Sequence, residues 1–243
     1  MTGIVDVHSH ILPGIDDGSG DQDETRRMLQ MAYDQGVRII LATPHSSHRQ
    51  NVEHIRELVI RVNEEASDIA SDFHVYLGQE IYFEEDSVRN LQENLFLTLN
   101  DTRYVLVEFH PDIPYQRLYR AIRQLTSASY LAIVAHVERY HCLRKQENME
   151  DLLHTGALLQ MNYTSVNGGI FDSGARWCRK QLKEGHISFM GTDMHGSEHR
   201  RPELTEALNW MHKNLPAKTV YRLTSGNAKR VLEGQPLAER RYI

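Results

Sequence analysis

Short apolar runs alternate with longer stretches of helical periodicity along nearly the whole chain. The runs lie at 4–8, 38–43 (RIILAT), 74–78 (HVYLG), 104–109 (YVLVEF), 131–135 (LAIVA), 157–161 (ALLQM) and 187–191 (ISFMG). Short continuous runs of this kind predict buried strands. Between them, Ile55, Leu58, Val59, Val62, Ala66 and Ile69 follow the i, i+3, i+4, i+7 stripe of one helix face. Leu118, Ile122 and Leu125 form a second stripe entered through Pro114; Leu204, Ala207, Leu208 and Met211 form a third entered through Pro202. Gly36, Gly156 and Gly185 stand where a helical pattern gives way to a strand, the usual place of a left-handed cap. A last helix is predicted over 217–232, closed by Gly234. Seven strands, each followed by a helix, imply an α/β fold with parallel pairing through right-handed crossovers. An open sheet and a closed barrel both satisfy that pattern. There is no linker and no fixed-period repeat, so residues 1–243 read as a single domain.

Composition narrows the setting. Apolar residues make up 40% of the chain, enough for a core, and no uncharged apolar run is long enough to span a membrane. No signal-peptide pattern opens the sequence, and two cysteines, Cys142 and Cys178, make no disulfide framework. The expectation is a cytoplasmic protein. Twenty-seven basic against 33 acidic side chains give a formal charge of −6, without the strongly basic footprint of a nucleic-acid binder. The 14 histidines are more than twice the 6 phenylalanines, so their positions carry information.

They collect at the ends of the predicted strands. In VDVHSH (5–10), alternation puts Asp6, His8 and His10 on one face and Val5 and Val7 on the other. His45 closes LATPH after the second strand, Glu80 follows the third in LGQEIY, and Glu108 ends the fourth in VLVEF. His136 ends the fifth in IVAHVERY, and Asp193 and His195 follow the seventh in GTDMH. In a parallel barrel these carboxyl ends converge on one rim, where sites are built. Imidazole and carboxylate without thiolate suit manganese, iron or zinc in an open catalytic site. Asp6, Asp17, Glu80, Glu108 and Asp193 on one rim would repel each other without cations. Adjacent divalent ions are standard equipment for in-line displacement at phosphorus. Arg139, three residues beyond His136, and Arg200, five beyond His195, supply planar guanidiniums that match phosphate oxygens. In the loop LPGIDDGSGDQDE (12–24), either Asp16 or Asp17 could reach an ion, and His48, His110 and His199 lie near the rim without an assigned role. His54, His74, His141, His154, His186 and His212 read as structural or surface residues.

The motifs DVHSHILPGIDDG, ATPH, GQEIY, VEF, AHVERY and TDMH, in this order, resemble the polymerase-and-histidinol-phosphatase (PHP) superfamily. Within it they are most similar to the bacterial manganese-dependent protein-tyrosine phosphatases of capsule and exopolysaccharide operons. The resemblance spans roughly residues 4–202. It implies a distorted seven-stranded, TIM-like (β/α) barrel holding three divalent ions, manganese first, with iron or zinc as alternatives. It implies His8, His10, Glu80 and Asp193 around the first ion, and Glu80 bridging to a second that Glu108 and His136 also hold. Asp17, rather than Asp16, joins His45 and His195 around the third, and Arg139 and Arg200 match the phosphate-gripping arginines. The implied partner is a phosphotyrosine protein, a tyrosine autokinase of polysaccharide export. Departures from the pattern are Val137 in place of proline, the varied TDMH, and His110 after Phe109; the ligand positions are intact.

A cysteine-nucleophile phosphatase needs Cys-x5-Arg, but six residues beyond Cys142 and Cys178 stand Asn148 and Glu184. A water-derived nucleophile activated by the ions is therefore expected. The rival readings are a histidinol phosphatase or another phosphoesterase acting on a small ester, a TatD-like nuclease, an amidohydrolase and a non-catalytic barrel. His45 and the DDG loop count against the nuclease, Glu108 in place of lysine against the amidohydrolase, and the full ligand set with two arginines against the last.

Overall fold

The computed structural model describes residues 3–47, 50–169 and 171–237. Its strands are β1 (Ile4–Ser9), β2 (Val37–Ala42), β3 (His74–Leu77), β4 (Glu80–Tyr82), β5 (Tyr104–Glu108), β6 (Leu131–Val134), β7 (Leu158–Asn162) and β8 (Phe189–Gly191). Its helices are α1 (Gln22–Asp34), α2 (Val52–Ile69), α3 (Ser87–Gln92), α4 (Tyr115–Ser127), α5 (Gln146–His154), α6 (Ser173–Glu184), α7 (Thr205–Asn214), α8 (Ala217–Tyr221) and α9 (Asn227–Leu232). All strand pairs are parallel, in a sheet of order β1-β2-β3 and another of order β4-β5-β6-β7-β8. The sheets meet at both edges. Ser9 bridges to Met194 just beyond β8, and His45, just beyond β2, bridges to Glu80 at the start of β4.

The parallel α/β reading holds, but the strand count differs from seven. The third apolar run breaks after Leu77, and Glu80 opens a strand of its own on the edge of β5, so β3 is followed by a strand and not a helix. Two residues make the break. A Cβ at Gly78 would lie 2.9 Å from Leu99 and from Thr43, so the chain turns where only glycine fits. The amide of Leu97 donates to the Gln79 side chain at 2.9 Å, which holds Gln79 inward.

The strands are buried on both faces, as parallel strands should be. Tyr104 and Leu106 of β5 join Val5, Val7, Leu41, Ile133, Leu158 and Phe189 in one apolar cluster, which α9 enters through Ala228 and Val231. Val105 and Val107 face a larger cluster with Met28 and Leu29 of α1, Ile55 and Val59 of α2, and Leu118 and Ile122 of α4. The predicted stripes are thus the buried stripes, except that Ile69 and Leu208 are only half-buried and Leu204 is the residue before α7. Gly36, Gly156 and Gly185 have φ of 94°, 86° and 78°, the left-handed conformation expected of them. The helix predicted over 217–232 is interrupted by a wide π turn at Arg222–Gly226, where the ring of Tyr221 lies against Gly226.

Candidate metal centre and phosphate site

The ends of the strands and the loops beside them bring His8, His10, Asp17, His45, Glu80, Glu108, His136, Asp193 and His195 together. Four overlapping groups among them have donor atoms within 4.8 Å of one another: His10, Asp17, His45 and His195; His8, His10 and Asp193; His8, Glu80 and His136; and His45, Glu80 and Glu108. Glu80 sits at the middle. Its Oε1 lies 3.2 Å from His8 Nε2 and 2.9 Å from His136 Nε2, while its Oε2 lies 3.2 Å from His10 Nε2 and 3.1 Å from His45 Nδ1. His45 spans two groups, with Nδ1 3.0 Å from Glu108 and Nε2 3.4 Å from Asp17.

Hydrogen bonds behind the imidazoles decide which nitrogen each presents. His10 Nδ1 meets Asp16 Oδ2 at 2.7 Å, an acceptor, so Nδ1 carries the proton and Nε2 is bare. His8 Nδ1 meets Gln160 Oε1 at 3.1 Å; that oxygen also accepts from the His136 amide at 2.7 Å, which fixes the amide orientation. His195 Nδ1 donates to the Asp193 carbonyl at 3.0 Å. The Nε2 atoms of His8 and His10, both turned inward, lie 3.3 Å apart, a spacing at which a proton or a cation must sit between two lone pairs. His45 Nδ1, Glu80 Oε2 and His195 Nε2 are buried atoms with no hydrogen-bond partner among the described residues. Bare imidazole nitrogens and unpartnered carboxylate oxygens facing one another are what divalent ions require, so the residues fit them.

The protein's own charges leave the same mark. Burial alone would lower His8, but Glu80 and Asp193 overrule it and carry the imidazole up to about 9. Glu108 and Glu80 likewise overcome burial at His45 and raise it to about 11. Burial and the neighbouring charges of His10 and Arg200 push His195 down to about 4. Asp193 is held well below the usual carboxylate range because His8 and Arg139 outweigh its burial.

Asp193 also joins the ions' side to the arginines' side. Its Oδ1 faces His8 and His10 at 3.5 and 3.6 Å, whereas Oδ2 accepts from Arg139, from Arg200 at 2.8 Å and from Asn162 Nδ2 at 2.8 Å. The arginine side chains, 40% and 43% exposed, stand at the mouth of the site. His136, Asp193 and Arg200 all have positive φ, of 30°, 53° and 47°. Strained backbone of this kind costs on the order of 1–3 kcal/mol per residue and concentrates where function demands the geometry.

Asp6 belongs elsewhere. It is fully buried, accepts from the Thr192 amide at 2.9 Å and from the Thr192 hydroxyl, and burial raises it to about 6. It ties β1 to the loop after β8 and enters none of the four groups, which corrects its placement on the rim. Asp16 serves His10 and the His45 amide, leaving Asp17 to face the imidazoles, 3.4 Å from His195 Nε2. His199 lines a cavity of about 500 Å³ next to His195 and Arg200, His110 is exposed beside Asp112, and His48 lies outside the described residues. Sequence reasoning missed Gln160, Asn162 and Glu138. Glu138 Oε1 accepts from the Asn162 amide at 3.0 Å and from Ser165 at 2.7 Å. The one available signal was a pair of amides, Gln160 and Asn162, in an otherwise apolar strand end.

A family model for capsular polysaccharide synthesis proteins of the CpsB/CapC type matches residues 4–233. The chain is 31% identical to the tyrosine-protein phosphatase YwqE of Bacillus subtilis, over 96% of this chain and 93% of that protein. It is 29% identical to the tyrosine-protein phosphatase CpsB of Streptococcus pneumoniae, over 96% and 99% of the two. Among solved structures it superposes with a TM-score of 0.89 and 29% identity, covering 98% of each chain, on one from a study of YwqE and CpsB as metal-dependent tyrosine phosphatases. A histidinol phosphate phosphatase of Lactococcus lactis shares only the fold, with a TM-score of 0.55 and 12% identity over 95% of this chain and 93% of that one. The chain belongs to the CpsB/CapC family of capsular polysaccharide synthesis proteins.

Proposed function

We propose that this chain is a metal-dependent phosphomonoesterase that hydrolyses phosphotyrosine in protein. One observation carries the reading: bare imidazole and carboxylate atoms converge around Glu80, and two guanidiniums share Asp193 at the mouth above them. In this reading His8, His10, Glu80 and Asp193 hold one ion, Glu80, Glu108 and His136 a second, and Asp17, His45 and His195 a third. Manganese is the inferred metal, and the donor set also suits iron or zinc. Bound ions would supply Lewis acidity, lowering the pKa of water and neutralising phosphoryl oxygens.

The chain's own residues do the rest. Asp16, Gln160 and the Asp193 carbonyl fix three imidazoles with their lone pairs turned inward. Arg139 and Arg200 each spend one nitrogen on Asp193, and the rest of each planar fork is left for phosphoryl oxygens as charge redistributes. A phenolate leaves more readily than an alkoxide, so the site needs no strong acid at the leaving oxygen. The finer fold reading is one domain over 1–243, a distorted seven-stranded barrel in which β3 and β4 are one broken strand. Cytoplasmic placement and a tyrosine autokinase of polysaccharide export as partner are part of the same proposal. Among the described residues no helix is long and apolar enough to cross a membrane.

The test is a substrate panel. With manganese added, phosphotyrosine peptides are hydrolysed better than phosphoserine peptides or histidinol phosphate, chelation stops turnover, and manganese restores it. A higher kcat/KM on histidinol phosphate would overturn the substrate assignment.

A further inference from the structure

A groove of about 730 Å³ opens between the connection after β4 and the first turns of α4. Its lining mixes aromatic and charged side chains. The half-buried Phe83 and Ile113 form an apolar patch there, backed by the buried Phe109, whose ring lies 5.7 Å from that of Phe83. The Phe83 amide donates to the Glu108 carbonyl at 3.0 Å, so the patch begins on the backbone of a residue proposed to hold an ion. Arg117 and Arg120 form one wall, exposed and one turn apart on α4, hence on one face. Arg120 bonds only the Gln116 carbonyl of its own helix, and neither guanidinium has a carboxylate partner among the described residues. Three carboxylates also line the groove and have uses within the fold: Glu84 and Glu85 precede α3, where negative charge is favoured, and Asp112 meets His141 Nδ1 at 2.9 Å.

We propose that this groove takes the polypeptide flanking the phosphorylated residue of a protein substrate. An apolar side chain of that segment lies on Phe83 and Ile113, and an acidic one meets Arg117 and Arg120. The inference rests on the phosphatase reading and names what that reading leaves open, the sequence around the phosphotyrosine. A phosphoryl group held at the rim leaves its polypeptide on the rim's surface, and this groove opens beside the strand end that carries Glu108. Charge gives the same direction. The chain carries a net −6 and repels acidic segments in general, so two unmatched arginines beside the site are where such a segment gains.

The test compares wild type with the double variant R117E/R120E, using kcat/KM on three substrates in the manganese-loaded enzyme. The substrates are p-nitrophenyl phosphate, a phosphotyrosine peptide with glutamates flanking an apolar residue, and the same peptide with lysines for the glutamates. Wild type prefers the glutamate peptide. The variant loses roughly 5- to 30-fold on it, the worth of two partly exposed ion pairs, improves on the lysine peptide, and keeps p-nitrophenyl phosphate turnover. Unchanged turnover of the small ester shows that the variant is folded and loaded. A variant that ranks the peptides as wild type does overturns the groove while the phosphatase reading stands. Failure of wild type to turn over any of the three removes the phosphatase reading, and the groove with it.

Discussion

Residue by residue, the site is built from behind. Gln160 touches no proposed ion, yet its Oε1 holds both the His8 ring and the backbone of His136. Gln160→Leu would leave a ring N–H and a buried amide unpaired while keeping the volume. Outer partners of this kind contribute about 10- to 100-fold in metal affinity. The variant should therefore need correspondingly more manganese for half-maximal activity and recover its rate at excess metal; an unshifted manganese titration would falsify the role. In the proposed reading Arg139 and Arg200 serve the phosphoryl group. A charge-assisted hydrogen bond contributes about 1.5–3 kcal/mol, which predicts a roughly 10- to 150-fold fall in kcat/KM for Arg139→Ala or Arg200→Ala. Asn162 still donates to Asp193 Oδ2 in either variant, so metal content should stay at the wild-type level by elemental analysis. Lysine replacements should rescue only in part, since a point charge lacks the planar fork. Metal lost alongside activity would instead make the arginines supports of Asp193.

Whole elements set tolerances tighter than any single contact suggests. The short strand β8 runs so close to its neighbours that a Cβ at Gly191 would lie 2.8 Å from Gln160 Nε2 and 2.9 Å from the His8 Cβ. Gly191→Ala must therefore shift a ring proposed to hold an ion. Overpacking of this kind costs about 1–3 kcal/mol, and activity should fall with the melting temperature; an active variant of wild-type stability would show that β8 has slack. Elements were also the most legible part of the sequence. Apolar runs located the strands to within a residue or two, and the chemistry at their ends was visible because ligand side chains keep their type whatever the surroundings. What the chain hid has a common cause. The break at Gly78-Gln79 depends on how near Leu99 and Thr43 come, which no periodicity encodes. Asp6 looked like a rim carboxylate because alternation gives its face but not its depth, and its partner Thr192 is 186 residues away. Gln160 and Asn162 are ordinary polar residues until the fold brings histidines to them.

Across the whole molecule, the site is also where the sheets join: the His10 amide donates to the Met194 carbonyl at 2.9 Å, and the Glu80 amide donates to the Pro44 carbonyl at 3.0 Å. Ion binding should therefore act on global stability. Its dependence on pH follows from the histidines. His8 and His45, raised to about 9 and about 11, are protonated near neutral pH, and each must lose its proton before it can bind a cation. Loading should release roughly two protons and tighten as pH rises. In the stripped protein the sign is opposite. A raised imidazole pKa contributes stability that is complete below its ordinary value of 6.5 and is lost as pH climbs through about 9 and on toward about 11. The loaded form gains and the stripped form loses, so the difference between their melting temperatures widens with pH. Manganese at a hundredfold excess over its dissociation constant adds about 2.7 kcal/mol, or roughly 5–10 °C for a chain of this size. Melting curves of chelated and manganese-loaded protein between about pH 6.5 and 8.5, with proton release measured by titration calorimetry in buffers of different ionisation enthalpy, test both signs. A gap that narrows as pH rises, or loading without proton release, would mean that these histidines are not the ligands.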